Sequence, residues 1–332
     1  MNWVMDKANA AISEGRWFMR SRVVLTATKL DVFTKLEERP CNAEEFAKTN
    51  GYDLRATTRL LDCLVAIEML EKQDGIYTVA EGGAYFSARH PESVLPMMLY
   101  MDRMWDVWSN LTDVVMNGGD TESEPGIHLE DEQWEAFIGG MHVIGRKLAA
   151  EIAADYDLSR FNRMLDIGGA SGTYTMAFLR ENMKMRGVLF DLPQVVRMAR
   201  KRIAEEGLLD RVELVEGDFY RDPLPTGCDL ALLSAIIHQN SHEKNLELYQ
   251  KIFEALEPGG TILIREHIMD ETRTCPPAGA MFAINMLVNR RGGDTYTFEE
   301  VRSGLEQAGF VDVKLVRDGG LMDALVEGRK AG

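Results

Sequence analysis

The sequence is short of positive charge. Its 332 residues carry 37 Lys and Arg against 53 Asp and Glu, a formal net charge of -16. A phosphate backbone is held by clustered cations, so this balance argues against a nucleic-acid partner. No apolar run reaches the roughly 20 residues that span a bilayer, so no membrane association is expected. Residues 1–7 lack a basic region followed by an apolar core, and no secretory leader is expected. Cysteine is scarce too. Cys41, Cys63, Cys228 and Cys275 are widely scattered and form no Cys-x-x-Cys pair. That excludes a zinc ribbon and a disulfide framework, predicts no metal, and fits reduced thiols in the cytoplasm. What is present is an ordinary globular composition, 45% hydrophobic and 27% charged, over a length that accommodates two domains.

Residues 1–90 read as mostly helical. Residues 8–12 and 18–36 carry apolar residues at helical spacing, with Val23, Ala27, Leu30, Phe33 and Leu36 on one side. Asn42, followed by Ala-Glu-Glu, is a cap-like start to a short helix, and Asn50-Gly51 is a turn. Residues 54–70 form another amphipathic helix, and 73–79 a turn with a short strand. Three helices and a hairpin predict a winged helix. Its would-be recognition helix balances Arg55 and Arg59 with Asp53, Asp62 and Glu68, which favours a packing or dimerisation module over a DNA reader. Residues 91–155 continue as a helical linker. There Trp105, Trp108, Leu111 and Val115 form an apolar stripe, read as core with part of it roofing a pocket. A polar break follows at 117–126, and Trp134, Phe137 and Met141 resume the helical pattern.

From 156 to 332 strands and helices alternate. Candidate strands are 163–167, 187–190, 212–216, 230–233, 261–265, 311–315 and 324–328; the helices between them include 174–181, 193–206, 243–256 and 297–308. This pattern predicts a doubly wound, mainly parallel seven-stranded sheet. The sequence Glu257-Pro-Gly-Gly260 is the stop before a strand. The last two strands, joined only through residues 317–320, predict an antiparallel hairpin at the C-terminal edge.

Ligands in such sheets bind beyond the carboxyl ends of the strands. The first strand runs into Asp166-Ile-Gly-Gly-Ala-Ser-Gly172, a turn in which glycines let a ligand approach the backbone and the next helix aims its N-terminal amides at the same spot. Asp166, Asp191 and Asp218 stand at three successive strand ends. An acid roughly 20 residues past the glycines is placed to accept ribose hydroxyls. The turn does not match Gly-x-Gly-x-x-Gly, and a site rich in carboxylates suits a sulfonium cation better than a pyrophosphate. Electrostatics therefore favours S-adenosylmethionine over NAD.

These residues carry a resemblance. The segment 166–172 resembles the Asp-x-Gly-Gly-Gly-x-Gly pattern with Ala170 in place of one glycine; Phe190-Asp-Leu-Pro193 and Gly217-Asp-Phe-Tyr220 match two further motifs. Together they resemble the class I S-adenosylmethionine-dependent methyltransferases, in particular the caffeic-acid and hydroxyindole O-methyltransferase family and its bacterial relatives. The resemblance covers nearly the whole chain. It implies a Rossmann-like catalytic domain at 156–332 after a winged-helix dimerisation domain at 1–90, and a homodimer. It also implies S-adenosyl-L-methionine as cofactor with S-adenosyl-L-homocysteine as product. Gly168 would lie against the methionine part, Asp191 would bind ribose, and Asp218 with Phe219 would hold adenine. Asp166, Gly169, Gly172, Leu192 and Ser234 complete the expected cofactor set.

At the catalytic end, His238 of Ile237-His-Gln-Asn-Ser-His242 matches the family's general base, and Glu266 matches one of two glutamates that orient it. Three positions depart from the pattern: Gln239 replaces an Asp, Asn240 replaces a Trp, and Thr295 stands where the second acid belongs, beside Asp294. The acceptor site is expected on residues 278–288 and the region 92–145, with Met281, Phe282, Asn285 and Met286 lining it; Arg290 and Arg291 would select a carboxylate if either pointed inward. The expected activity is O-methylation of a small aromatic metabolite. The alternatives are methylation of carbon or nitrogen, or hydroxylase- or decarboxylase-like use of the same cofactor. A ligand-sensing winged-helix regulator is disfavoured by the acidic N-terminal region.

Overall fold

The computed structural model describes residues 2–118, 131–290 and 292–332. The chain forms two compact units, one ending at Trp105 and one beginning at Asp106. In the first, helices α1 (Asn2–Lys29), α2 (Val32–Glu38), α3 (Ala43–Asn50) and α4 (Leu54–Ala66) precede a hairpin of β1 (Leu70–Gln73) and β2 (Ile76–Val79), then a single turn α5 (Glu81–Ala84). Helix α6 (Leu95–Trp108) runs across the boundary between the units.

The continuous helix expected over 18–36 is instead broken at Leu30–Asp31, because Asp31 adopts a left-handed conformation (φ 54°). The break turns α2 so that Phe33 and Leu36 join Leu61, Leu64, Leu70 and Tyr77 in one buried cluster. Helix α3 starts where the sequence indicates, with the Asn42 side chain accepting from Glu45 N–H at 2.9 Å. Helix α4 ends at Ala66, short of the expected residue 70, because Leu70 is needed in the hairpin, where it pairs with Val79. On α4, Asp62 is held by Lys72 and the Tyr77 hydroxyl, both at 2.7 Å.

The second unit opens with α7 (Leu111–Asn117) and α8 (Asp131–Asp155). Beyond Gly118, the polar break expected at 117–126 lies outside the described residues. Val115 is 67% exposed, so the apolar stripe is not core at that end. Alternation then begins: β3 (Arg163–Ile167), α9 (Thr173–Glu181), β4 (Arg186–Asp191), α10 (Pro193–Glu205), β5 (Val212–Glu216), β6 (Cys228–Ser234), α11 (His242–Ala255) and β7 (Leu256–Glu266). A two-residue strand β8 (Ile268–Met269), helix α12 (Pro277–Asn289), β9 (Tyr296–Thr297), α13 (Phe298–Gln307), β10 (Phe310–Arg317) and β11 (Ala324–Lys330) complete it. Helix α11 stops at the expected place, but β7 starts at once, at Leu256; Gly259 (φ 79°) sits in an irregular stretch before regular pairing with β6 resumes at Thr261.

The sheet order is β10-β11-β7-β6-β3-β4-β5. Strands β5, β4, β3, β6 and β7 are parallel, and β11 is antiparallel to both β7 and β10, which gives the edge hairpin. Successive residues face opposite sides. Leu165, Val188, Ala231 and Ile262 pack on Leu248 and Ile252 of α11 and Val301 of α13. Met164, Leu189, Leu230 and Leu263 pack on Ile152 of α8, Phe178 of α9 and Ile203 of α10. Burial on both faces explains why these strands read as near-continuous apolar runs. Chain order reverses between β3 and β6, so a crevice opens beyond their carboxyl ends. Among the described residues no helix is long and apolar enough to cross a membrane, and no group of three His, Cys, Asp or Glu stands together to hold a metal.

Candidate functional site

The glycine turn lies in that crevice. Gly168 adopts φ 66°, and its N–H donates to Phe190 O at 2.8 Å, tying the turn to the end of β4. A Cβ on Gly168 would stand 2.7 Å from Ile236 Cδ1 and 3.4 Å from Phe219 Cε1, so only glycine keeps this floor open. Gly169 and Gly172 pack against Leu189 and Ile203 and belong to the turn's underside. Beneath it the buried Asp166 accepts from Thr175 Oγ1 at 2.6 Å, and burial pushes its carboxyl up to about 6.

Ala170 also occupies the left-handed region, at φ 50°. A Cβ there costs about 1–2 kcal/mol. The Ala170→Gly variant is therefore expected to gain about 0.5–1 kcal/mol after the added freedom of its unfolded chain is subtracted. A rise of a few degrees in the thermal midpoint, with cofactor affinity unchanged, would be the reading.

Asp191 faces the turn from β4. Its Oδ2 accepts from Ala170 N–H at 2.8 Å and its Oδ1 from Leu192 N–H at 2.7 Å, while burial raises its pKa to about 6. An ionised carboxylate has about four acceptor positions, so two remain for a diol. Asp218, beyond β5, accepts from Tyr220 N–H at 2.9 Å, and the half-buried Phe219 ring lies next to it. Ser234 closes β6 and accepts from Arg265 Nε at 2.7 Å. An open glycine floor, a carboxylate with spare acceptors and an aromatic ring beside a second acid fit an adenosyl group.

At the end of β6 a short 3-10 turn, Ile237–Gln239, presents His238, which is 7% exposed. Its Nδ1 lies 2.7 Å from Oε2 of the fully buried Glu266, at the end of β7. Burial opposes ionisation of Glu266, but His238, the hydrogen bond between them and Arg265 together hold its carboxyl below the ordinary range. A carboxylate only accepts, so Nδ1 carries the proton and Nε2 keeps a lone pair. That tautomer is assigned from the partner.

The second orienting acid is absent, as the sequence indicates. Thr295 is buried, and the Asp294 carboxylate faces Arg273 at 3.6 Å and Thr295 N–H at 2.8 Å. Only the Asp294 backbone reaches the turn, donating to His238 O at 3.0 Å. Sequence reading missed what takes over. Asn240, 1% exposed, accepts from the hydroxyl of Tyr220 and donates to Asn245 Oδ1 at 2.9 Å; Asn245 donates to Ile237 O at 2.9 Å, and the Tyr296 hydroxyl donates to Asn240 O. This network fixes the turn that carries His238. The one signal for it is that a small amide stands where the family has Trp.

On α12 the Phe282 ring stands edge-on to His238, with centroids 4.8 Å apart. Asn285 Oδ1 accepts from Trp108 Nε1 and Asn289 Nδ2, both at 3.0 Å, which leaves its own amide to donate. Met286 is buried and Met281 is 62% exposed, so the two expected methionines sit in different surroundings. Arg290 donates to Asn289 O at 2.8 Å. Arg291 lies outside the described residues.

A family model described as the O-methyltransferase domain matches residues 108–311, and one described as the O-methyltransferase dimerisation domain matches residues 15–89. The 3-hydroxy-5-methyl-1-naphthoate 3-O-methyltransferase of Streptomyces sahachiroi is 29% identical over 92% of this chain and 90% of its own. The acetylserotonin O-methyltransferase of Gallus gallus is 31% identical over 94% of each. Human N-acetylserotonin methyltransferase, solved in complex with S-adenosylmethionine, superposes with a TM-score of 0.85 at 27% identity, covering 98% of both chains.

Proposed function

The chain belongs to the S-adenosylmethionine-dependent O-methyltransferases of the hydroxyindole and caffeic-acid type, and from that premise we propose that it methylates a hydroxyl of a small aromatic metabolite with His238 as general base. The observation that carries this reading is the buried His238–Glu266 pair at the ligand end of the sheet. S-adenosylmethionine, when bound, supplies a methyl group already activated on sulfonium. The residues of this chain then have two tasks: alignment and proton removal. Gly168 lies against the methionine part, Asp191 holds the ribose and Asp218 with Phe219 holds the adenine, with Asp166, Gly169, Gly172, Leu192 and Ser234 supporting them. Nε2 of His238 takes the phenolic proton as the oxygen becomes nucleophilic, and Glu266 stabilises the imidazolium that forms. Met281, Phe282, Asn285, Met286 and Arg290 form the acceptor side. Because the N-terminal region is a dimerisation domain, we take the working form to be a homodimer, in a reducing cytoplasm that suits four free thiols.

The test is transfer of a trideuteromethyl group from labelled cofactor to a pool of phenols, aromatic acids and quinols, read by mass spectrometry. A labelled ether supports the reading. Label on carbon or nitrogen, or cofactor binding with no labelled product from any pool member, would favour the alternative chemistries.

Cofactor affinity should also depend on pH. A carboxyl whose pKa is raised to about 6 is mostly protonated at pH 5 and mostly ionised at pH 7. A ligand that needs the ionised form therefore binds more tightly as pH rises through 6. For one such carboxyl, S-adenosylhomocysteine affinity should rise about tenfold between pH 5 and 7. Calorimetric titration of Asp191→Asn should give weaker binding with a flatter profile.

A further inference from the structure

A second imidazole lies close to the first. His267 follows Glu266 and is 5% exposed, and its backbone N–H donates to Glu266 Oε1 at 3.0 Å. Its ring lies 5.1 Å from the centroid of Phe282, the same ring that stands 4.8 Å from His238. Both imidazoles thus pack against one phenylalanine of the acceptor side. The Nδ1 of the His267 ring is buried with no hydrogen-bond partner. With the ring proton on Nε2, Nδ1 is an acceptor that needs a donor. Burial lowers the pKa of this ring, so the neutral form persists at pH 7. Buried polar atoms are nearly always paired, and an unpaired one is unfavourable. Neither the cofactor site nor the His238–Glu266 pair accounts for this acceptor.

We propose that His267 is a specificity residue whose Nδ1 accepts a hydrogen bond from a second donor on the acceptor molecule, a hydroxyl or ring N–H set apart from the oxygen that is methylated. The favoured substrate class is thereby narrowed to aromatic acceptors with two donors, one facing His238 and one facing His267. This rests on the reading of the site as an O-methyltransferase acting on aromatic hydroxyls. A site built around a buried hydrogen-bonding atom rejects an analogue that lacks the matching group far more strongly than an apolar pocket discriminates by size.

The test uses matched pairs of fused-ring phenols that differ only in one added hydroxyl or N–H, varied in position. Each is assayed for turnover with S-adenosylmethionine and for binding to the full-length protein saturated with S-adenosylhomocysteine. For at least one geometry, the two-donor member should be favoured by about 10- to 100-fold in both measures. His267→Phe should erase that preference while leaving S-adenosylhomocysteine affinity unchanged. His267→Asn, which returns an acceptor near the Nδ1 position, should restore part of it. Ether formation with no preference at any geometry, or a preference that survives in His267→Phe, would overturn the inference and leave the methyltransferase reading standing. A binding preference lost in His267→Phe, without ether formation, would uphold the inference and count against the methyltransferase reading. If His267→Phe also weakens S-adenosylhomocysteine binding, the residue is structural and the inference fails.

Discussion

His238→Ala is expected to lower kcat by about 10²- to 10⁴-fold, the usual worth of a positioned general base. The affinity for S-adenosylhomocysteine should stay within about twofold, because the residues proposed to hold the cofactor stand at the ends of β3, β4, β5 and β6, outside the 3-10 turn. The loss should be steepest for acceptors with weakly acidic hydroxyls, which depend most on proton removal. It should shrink for acidic phenols that arrive ionised at pH 8. Added imidazole should restore part of the activity, since the variant leaves a cavity bounded by Phe282 and Glu266. Equal labelled ether from both proteins would instead make His238 a positioning group, with solvent taking the proton.

Much of the fold was legible because burial on both faces of the parallel strands leaves unmistakable apolar runs. The strand 163–167 matches to the residue, as does the edge strand 212–216, whose Val-Glu-Leu-Val-Glu alternates instead, and the helix ends at 181 and 255 match to within one. The candidate site was legible as a position in the fold: Asp166, Asp191, His238 and Glu266 all fall at or just past the carboxyl ends of β3, β4, β6 and β7. What was hidden depends on backbone conformations that no periodicity encodes. The break at Asp31 is one left-handed residue inside an unbroken helical pattern. The early end of α4 reflects a contest for Leu70 that the hairpin wins through tertiary pairing. The network of Tyr220, Asn240, Asn245 and Tyr296 joins residues up to 76 positions apart, and individually each looks like an ordinary polar side chain. His267 was invisible for the same reason, since its meaning lies in an unpaired atom.

Glu266 is the residue whose replacement should do the most damage, and two substitutions separate its roles. It accepts from the His238 ring at 2.7 Å and from His267 N–H at 3.0 Å, one bond to each oxygen, with no solvent exposure. Glu266→Leu strands both donors and should cost about 2–5 kcal/mol of stability, read as a lowered thermal midpoint. Glu266→Gln keeps the volume and one accepting oxygen, so the fold should survive. Its amide NH2 must then face either His267 N–H, donor against donor, or His238. In the second arrangement the amide donates to Nδ1 and the imidazole proton moves to Nε2, where a base needs its lone pair. A mis-set tautomer of this kind lowers kcat by about 10³- to 10⁴-fold with little effect on binding. The pH dependence gives an independent check. Since the folded-state pKa of Glu266 lies below its ordinary 4.5, its stabilising contribution is complete above that value and is lost as pH falls through the lower folded one. The wild type should therefore lose stability below pH 4.5 more steeply than Glu266→Gln. Equal slopes would mean that the carboxylate is not held ionised by His238, and with that the case for an Nδ1-protonated base would fall.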